Sequence, residues 1–210
     1  MRSAFEKRIN EEAAQKISEF FNLLWNFLGS CYQRDILEIG CGFPADLERY
    51  AGLAKYRKHK FFCVDPDESK IHSLKTYIQK RGLVRFIKAQ IGVCEDLKFS
   101  SKYFDAVLAF NTYTHLANLH QSLGEIRRVL KPGGLFFFND AYQELSGEHV
   151  STGHINNYKS VLVRRIIKIF NFKIKYFYCF ESEGEEYWYI IGRRDKEKDQ
   201  KLPEKCNEFI

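Results

Sequence analysis

The sequence of 210 residues lacks a long apolar run. No stretch approaches the roughly 18 apolar residues that a membrane-spanning helix needs. The first residues also lack a short apolar core followed by a small-residue cleavage site. From these absences we expect an unsecreted, cytoplasmic protein without a membrane partner. Internal repeats and low-complexity segments are absent too, and a hydrophobic content of 45% predicts one globular domain.

Paired cysteine motifs are also missing. The sequence has six scattered cysteines and no Cys-x-x-Cys pair, namely Cys31, Cys41, Cys63, Cys94, Cys179 and Cys206. Several of them lie in apolar runs, which is typical of reduced thiols and favours neither a disulfide framework nor a zinc site. We therefore expect no bound metal.

A dense basic stripe is absent as well. The net charge is +6, but much of the Lys and Arg is interleaved with acids, as on a solvated surface. Because no appended binding domain is evident either, we do not expect a nucleic-acid partner. The sequence leaves the oligomeric state open.

Apolar runs alternate with amphipathic stretches from residue 35 onward. Five strands are predicted, at residues 36–39, 60–64, 84–88, 104–110 and 135–138. Apolar residues at helical spacing mark helices that end before Gly82 and at the break Lys131-Pro132-Gly133-Gly134. Strands that alternate with helices are typical of parallel βαβ units.

The last third of the chain has a different pattern. A helix is predicted over residues 160–170, followed by strands at 172–180 and 186–191. The turn from Glu181 to Glu185 that joins these strands is short. The two strands must therefore be antiparallel.

The N-terminal segment predicts an amphipathic helix. Residues 4–28 place apolar side chains on one stripe, and Ser3 and Glu6 match a capping box at its start. The helix either packs on the domain or forms a lid over a site. We expect one domain over residues 1–193, with this helix in residues 1–30, and a charged tail over residues 194–210.

The first predicted strand leads into Gly40-Cys41-Gly42, where two glycines allow a sharp turn close to a ligand. With Ala45 the turn fits the Gly-x-Gly-x-x-Gly/Ala dinucleotide pattern, so an NAD-dependent oxidoreductase is one interpretation. Glu38 argues against it, because a carboxylate two residues before the turn adds negative charge near a pyrophosphate. The same carboxylate suits a nucleoside whose tail carries an ammonium or sulfonium group.

Polar residues follow the carboxyl ends of four predicted strands. In an open α/β sheet such positions surround one crevice, and here they are Gly40 to Gly42, Asp65, Val93 to Asp96 and Asn111 to His115. Asp65 lies 25 residues after Gly40, close to the spacing of an acid that accepts hydrogen bonds from both ribose hydroxyls. The combination predicts a nucleoside site.

Four short motifs, in their order along the chain, resemble those of class I S-adenosylmethionine-dependent methyltransferases. The resemblance covers roughly residues 35–140 and is carried by Leu37-Glu38-Ile39-Gly40-Cys41-Gly42, Val64-Asp65, Glu95-Asp96-Leu97-Lys98-Phe99 with Phe104-Asp105, and Arg128-Val129-Leu130-Lys131-Pro132-Gly133-Gly134. The segment from Gly153-His154-Ile155 to Asn171-Phe172 is similar to the small-molecule branch of the family.

The resemblance implies an α/β fold with a doubly wound, seven-stranded and mostly parallel sheet, its last strand antiparallel and helices on both faces. It also implies S-adenosylmethionine as the cofactor. The expected cofactor-binding residues are Glu38, Gly40, Cys41, Gly42, Asp65, Cys94, Glu95 and Asn111.

Within that set, the resemblance assigns the two glycines and Asn111 to the methionine moiety, Asp65 to the ribose, and Cys94 and Glu95 to the adenine. One position departs from the family pattern. Val93 stands where an adenine-contacting Asp is common.

The implied reaction is methyl transfer from S-adenosylmethionine to an oxygen or nitrogen of a small-molecule acceptor. An in-line displacement needs positioning rather than a nucleophilic side chain, although a hydroxyl acceptor also needs a base. We expect His154 to be that base, since it lies in the loop after the fifth strand and imidazole titrates near neutrality. A structural role for His154, with His115 as the base, is one alternative. A catalytically silent, cofactor-binding partner subunit of a methyltransferase complex is another.

Overall fold

A seven-stranded sheet forms the centre of the computed structural model, which describes residues 10–43, 47–143, 159–182 and 184–195. The strands are Asp35–Ile39 (β1), Lys60–Asp65 (β2), Ile87–Ile91 (β3), Phe104–Phe110 (β4), Leu130–Gln143 (β5), Phe172–Ser182 (β6) and Glu185–Arg194 (β7). Their order is β3-β2-β1-β4-β5-β7-β6, and β7 runs antiparallel to both of its neighbours. This confirms the predicted sheet with its antiparallel last strand.

Helices cover both faces of the sheet, as predicted. Helices α1 (Glu11–Ser30), α2 (Leu47–Arg57) and α3 (Glu68–Lys80) pack on one face, and α4 (Leu119–Val129) and α5 (Ser160–Ile169) pack on the other. Short 3-10 turns at Cys94–Asp96 and Tyr113–His115 follow β3 and β4. The central strands are buried on both sides, because Ile36 of β1 enters one core and Leu37 enters the other.

The N-terminal helix begins later than the sequence predicts. Asn10 is its N-cap, and the Asn10 side-chain oxygen accepts the backbone N–H of Ala13 at 2.8 Å. The predicted capping residues Ser3 and Glu6 lie outside the described residues. The described helix therefore starts at Glu11, and its apolar stripe packs on the core from Ile17 onward.

The third strand also begins later than predicted. It starts at Ile87 and not at Val84, because the Leu83 carbonyl accepts the N–H groups of Phe86 at 2.8 Å and Ile87 at 2.9 Å. These two bonds hold a turn, and Val84 is exposed on it.

Strands β5 and β7 are longer than predicted. β5 already pairs with β4 at Leu130, ahead of the Lys131 to Gly134 segment, after which the register shifts. β7 extends through Arg194, whose buried guanidinium donates to the Arg127 carbonyl at 2.8 Å. Arg194 thus belongs to the packed domain and not to the predicted tail.

Within the described ranges, no helix is both long and apolar enough to cross a membrane. His, Cys, Asp and Glu side chains do not cluster there in a way that would hold a metal ion. The described cysteines are free thiols, and Cys41, Cys63 and Cys94 are buried.

The strands differ in how far they reach at the carboxyl edge of the sheet. β4 ends at Phe110, opposite Asn139 of β5, whereas β5 continues to Gln143, opposite Glu185 of β7. At about 3.3 Å per residue, β5 and its neighbours project roughly 13 Å beyond β4. This projecting part of the sheet forms a wall beside the ends of β1 and β4.

At the opposite edge of the sheet, where the parallel strands begin, the fully buried His59 joins two segments of the chain. The Nδ1 atom of His59 accepts the backbone N–H of Arg34 at 3.0 Å, so the ring hydrogen is on Nε2, which donates to the Leu28 carbonyl at 2.7 Å. Burial lowers the pKa of His59, because desolvation disfavours the imidazolium. His59 therefore joins α1 to the segment before β1 in its neutral form.

We expect His59→Gln to remove a pH-dependent part of the stability. The folded pKa lies below its ordinary value of 6.5, so the neutral imidazole contributes fully above that pH and its contribution is lost as the pH falls. The variant should lose about 1 to 3 kcal/mol of unfolding free energy near pH 7.5. It should lose less near pH 5.5, as measured by urea denaturation.

His72→Gln is the matched control, because His72 is exposed on α3. This control should not change the pH dependence of stability. An equal loss for His59→Gln at both pH values would contradict the role of the neutral ring.

Candidate active site

A crevice with a volume of about 360 Å³ lies at the carboxyl ends of β1 to β4. Its volume falls within the range of about 300 to 1,000 Å³ that is usual for small-molecule sites. Five of the predicted cofactor-binding residues line it: Gly40, Asp65, Cys94, Glu95 and Asn111. The structure thus brings residues from four separate strands to one place.

The turn after β1 depends on the absence of a side chain at Gly40. Gly40 has a left-handed φ of 63°, and a Cβ atom built there would overlap the Thr112 side chain. The buried Thr112 hydroxyl lies 3.2 Å from the Ile39 carbonyl and 3.0 Å from the Phe110 carbonyl. It therefore links the ends of β1 and β4 directly under the turn. Thr112 lines the crevice, as expected for the range Asn111 to His115, but its contact with Gly40 was not predicted.

Asp65 ends β2 with its carboxylate held from two sides. One oxygen accepts the Gly42 N–H at 2.7 Å, and the other accepts the Asp67 N–H at 2.9 Å. These bonds fix the orientation of the carboxylate in the wall of the crevice. Since a carboxylate oxygen can accept more than one hydrogen bond, both remain able to accept a hydroxyl hydrogen from a ligand.

Helix α3 begins at the crevice because Asp67 caps it. The Asp67 carboxylate accepts the N–H groups of Ser69 at 2.9 Å and Lys70 at 3.1 Å. Hydrogen bonds from the Ser69 hydroxyl and the Lys70 N–H lower the pKa of Asp67. Asp67 and Lys70 line the crevice, and sequence reasoning missed both. The acid just before an apolar periodic run was the capping signal that marks Asp67.

The turn after β3 presents backbone and apolar surface to the crevice. The Cys94 thiol is directed at the Ser122 carbonyl of α4, 3.9 Å away, and burial raises its pKa. The Glu95 carboxylate accepts the Asn118 N–H at 3.1 Å. The thiol is therefore a packing group, while Val93, 44% exposed, offers an apolar surface to a flat ring.

Two asparagine side chains meet where β4 and β5 leave the crevice. Asn111 has a left-handed φ of 49°, and its side-chain oxygen accepts the Asn139 amide N–H at 3.1 Å. The Asn139 side-chain oxygen is enclosed and has no hydrogen-bond donor among the described residues. Asn139 is opposite Phe110 in the sheet. Asn111 lines the crevice and thus connects it to the enclosed Asn139 oxygen, which lacks a donor in the described part of the chain.

Three predicted cofactor-binding residues, Glu38, Cys41 and Gly42, are not in the crevice lining. Glu38 pairs with Cys63 in the sheet, on the face that α1 to α3 cover. Contact with the Cys41 thiol, burial and the Glu38 charge together raise the pKa of Cys63. Gly42 is joined to the crevice through its bond to Asp65.

Of the two candidate bases, His154 lies in residues 144–158, outside the described residues, and His115 lines the crevice. Asp140 holds the turn that carries His115, because its carboxylate accepts the N–H groups of Tyr113 and Thr114. Burial raises the pKa of Asp140. Its role in holding this turn was not visible in the sequence.

Acidic side chains outnumber basic ones among the residues that line the crevice. Asp65, Asp67 and Glu95 are acidic, and Lys70 is the opposing cation. Such a field favours a positively charged ligand over a pyrophosphate.

Comparison with known proteins gives a family match and two relatives. A family described as "Methyltransferase domain" matches residues 37–138. The chain is 28% identical over 130 residues to a thiol S-methyltransferase of Homo sapiens, covering 61% of this chain and 51% of that protein. It is 27% identical over 140 residues to a sterol 24-C-methyltransferase of Aspergillus fumigatus, covering 64% and 36%. The chain spans about half the length of the first relative and less of the second.

A solved structure is similar over most of the chain. It is a geranyl diphosphate C-methyltransferase from Streptomyces coelicolor in complex with S-adenosyl-L-homocysteine. The TM-score is 0.69 at 11% identity, with 82% of this chain and 77% of that chain covered. At this identity the similarity establishes the fold.

We expect Gly40→Ala to destabilise the chain more than Gly42→Ala. Both glycines have positive φ, which costs an alanine roughly 1 to 2 kcal/mol. At Gly42 a Cβ would only touch the Lys70 side chain at 3.8 Å, whereas at Gly40 it would overlap Thr112. The overlap should add about 1 to 3 kcal/mol to the loss of unfolding free energy, measured in urea.

The Thr112→Ala substitution in the Gly40→Ala background is the control for that overlap. It removes the overlapping atoms and should recover part of the lost stability. Equal losses for the two glycine variants, with no recovery in the double variant, would rule out the overlap as the cause.

Proposed function

This chain carries a class I S-adenosylmethionine-dependent methyltransferase domain, and we propose that it transfers a methyl group to an oxygen or nitrogen of a small-molecule acceptor. The observation that carries the proposal is the convergence at one crevice of Gly40, the doubly held Asp65 carboxylate and Asn111, which is bonded to Asn139.

The crevice fits S-adenosylmethionine at each part of that molecule. Gly40 leaves room for the methionine moiety because its backbone carries no side chain. Asp65 is oriented to accept hydrogen bonds from the ribose hydroxyls. Val93 and Leu116 supply apolar surface for the adenine. The excess of acids in the lining suits a ligand that carries a sulfonium and an ammonium.

The contribution of the chain itself to the reaction is to position the methyl donor and the acceptor. When bound, S-adenosylmethionine provides a methyl group on a positively charged sulfur. The residues around the crevice must hold the acceptor atom in line with that methyl carbon, about 3 to 3.5 Å away. As the new bond to carbon forms, the carbon–sulfur bond breaks, and the acceptor releases its proton to a base or to water. His154 is the predicted base, and His115, which lines the crevice, is the other candidate for that proton.

Asn139 supports an acceptor that carries an O–H or N–H group. Its enclosed side-chain oxygen lacks a donor among the described residues, and an enclosed acceptor without a donor costs about 1 to 3 kcal/mol. An acceptor hydroxyl or amine that donates to this oxygen would remove that cost. It would also bring the nucleophilic atom next to Asn111, at the crevice.

The surroundings of Asn139 support an otherwise apolar acceptor. Asn139 is flanked in the sheet by Phe110 of β4 and Tyr189 of β7. The Phe110 ring lies 5.8 Å from the ring of Phe21 on α1. Phe21 of α1 thus contacts the aromatic ring at the end of β4, next to the asparagine pair in the sheet. A small aromatic or aliphatic molecule with one O–H or N–H group suits these surroundings.

A thiol is the second candidate acceptor. The similarity to a human thiol S-methyltransferase favours it, and a thiol can also donate weakly to the Asn139 oxygen. Assays with a phenol, an amine and a thiol of matched carbon skeleton distinguish methyl transfer to oxygen, to nitrogen and to sulfur.

We expect Asp65→Asn to weaken binding of S-adenosylhomocysteine about tenfold to a hundredfold, measured by calorimetry. An amide places an NH₂ group against one of the two backbone N–H donors, and one ribose hydroxyl loses its acceptor. Asp96→Asn is the control, since Asp96 lies on the turn after β3 but outside the crevice lining. Unchanged affinity in Asp65→Asn would remove Asp65 from the ribose site.

We expect Asn139→Leu to lower kcat/KM for methyl transfer by at least about tenfold, and by more than it weakens S-adenosylhomocysteine binding through the lost bond to Asn111. Leucine keeps the volume but cannot accept a hydrogen bond from the acceptor. Asn22→Leu, on the exposed side of α1, is the matched control. Equal activity of both variants with every acceptor would contradict the role of Asn139.

The same assays address the alternatives to an active methyltransferase. Binding of S-adenosylhomocysteine without transfer to any acceptor, until a second protein is added, would favour a silent partner subunit. Binding of NAD in place of S-adenosylhomocysteine would favour an oxidoreductase and overturn the proposal.

A further inference from the structure

A second groove lies at the amino edge of the sheet, away from the crevice. Its volume is about 520 Å³, and it is formed by the starts of β1 and β2 with the turn before β3. Four of its residues are cationic: Arg34, Lys58, Lys60 and Arg85. β1 separates the two sites, since Asp35 lines the groove and Gly40 lines the crevice, roughly 16 Å apart at 3.3 Å per residue.

The positive charge of this groove is only partly neutralised. Asp35 is the one acid in its lining. Beneath the groove, Asp105 accepts hydrogen bonds from Arg34 and Lys131, each at 2.8 Å. Lys58, Lys60 and Arg85 are exposed and form no ion pair within the described ranges. Four cations against one acid leave the lining with a formal charge of +3.

The backbone holds the cationic residues in place around the groove. Gln33 and Lys58 both have left-handed φ angles, 53° and 59°. The Gln33 N–H donates to the Arg57 carbonyl at 2.9 Å, and the Lys60 N–H donates to the Arg34 carbonyl at 2.8 Å. The segments before β1 and β2 are thus tied to each other, so like charges are kept close together where free loops would separate them.

We infer that this groove binds a phosphate group, carried by a soluble small molecule or by a lipid headgroup. Guanidinium groups match the geometry of phosphate oxygens, and ammonium groups add charge without demanding one orientation. A phosphate dianion would offset most of the net charge of the lining. The crevice has the opposite sign of charge and would repel the same ligand, so the groove acts apart from methyl transfer.

The test measures binding of inorganic pyrophosphate to the full chain by calorimetry, with citrate as an anion of similar charge that lacks phosphorus. We expect pyrophosphate to bind and citrate to bind at least about tenfold more weakly. The double variant Lys58→Gln with Arg85→Gln should weaken pyrophosphate binding at least about tenfold. The control double variant Lys75→Gln with Lys175→Gln changes the same net charge at exposed positions elsewhere and should bind normally.

A second arm distinguishes the source of the phosphate. The chain is sedimented with phosphatidylcholine vesicles that either contain or lack phosphatidic acid. Binding that requires phosphatidic acid and is lost in the Lys58→Gln with Arg85→Gln variant would support a lipid headgroup. Pyrophosphate binding without vesicle binding would support a soluble ligand. Equal binding of pyrophosphate and citrate would overturn the inference. Equal loss of pyrophosphate binding in both double variants, or binding only to a single-stranded oligonucleotide, would overturn it as well. S-adenosylhomocysteine affinity should be the same in all variants.

Discussion

The close approach of Gly40 to Thr112 is the contact on which the rest of the site depends. The turn after β1 can lie against β4 only because position 40 has no side chain, and the Thr112 hydroxyl then links the ends of the two strands. The same turn places the Gly42 N–H against the Asp65 carboxylate, and this bond joins the end of β2 to the end of β1. The ends of β1, β2 and β4 are therefore joined by hydrogen bonds from two side chains, Thr112 and Asp65, to the neighbouring backbone.

A second consequence of the fold is the separation of charge along the strands. Parallel strands gather one set of loops at the carboxyl edge and another at the amino edge, and here the first set is acidic and the second basic. The arrangement suits a cationic cofactor at one edge and an anionic group at the other. The modest net charge of the whole chain does not show this distribution.

Much of the fold was predictable because its signals are local. The apolar run before Gly40 indicates a strand buried on both faces, and Lys131 to Gly134 marks the end of a helix. Contacts across the sheet were not predictable in the same way. Thr112 lies 72 residues after Gly40 in an ordinary polar segment, and nothing in that segment marks the overlap. Asn139 follows three phenylalanines, so its side chain gained significance only when β5 was paired with β4.

The start of β3 was predicted three residues too early. Val84 has the β-branched side chain that favours a strand, but the Leu83 carbonyl captures two N–H groups and holds a turn there. Helix α2 was not predicted, although its buried residues Leu47, Tyr50, Ala51 and Ala54 recur at helical spacing. At Val84 local hydrogen bonds outweighed the strand preference of a single side chain.

The central claim is that one crevice, built by the Gly40 turn and Asp65, holds S-adenosylmethionine with its methyl group directed at the asparagine pair. A crystal structure of the chain with S-adenosylhomocysteine tests this claim most directly. The account predicts both ribose hydroxyls within hydrogen-bond distance of the Asp65 carboxylate, and the sulfur facing Asn111 and Asn139. A ligand bound elsewhere, or bound there with its sulfur facing away from these asparagines, would contradict it.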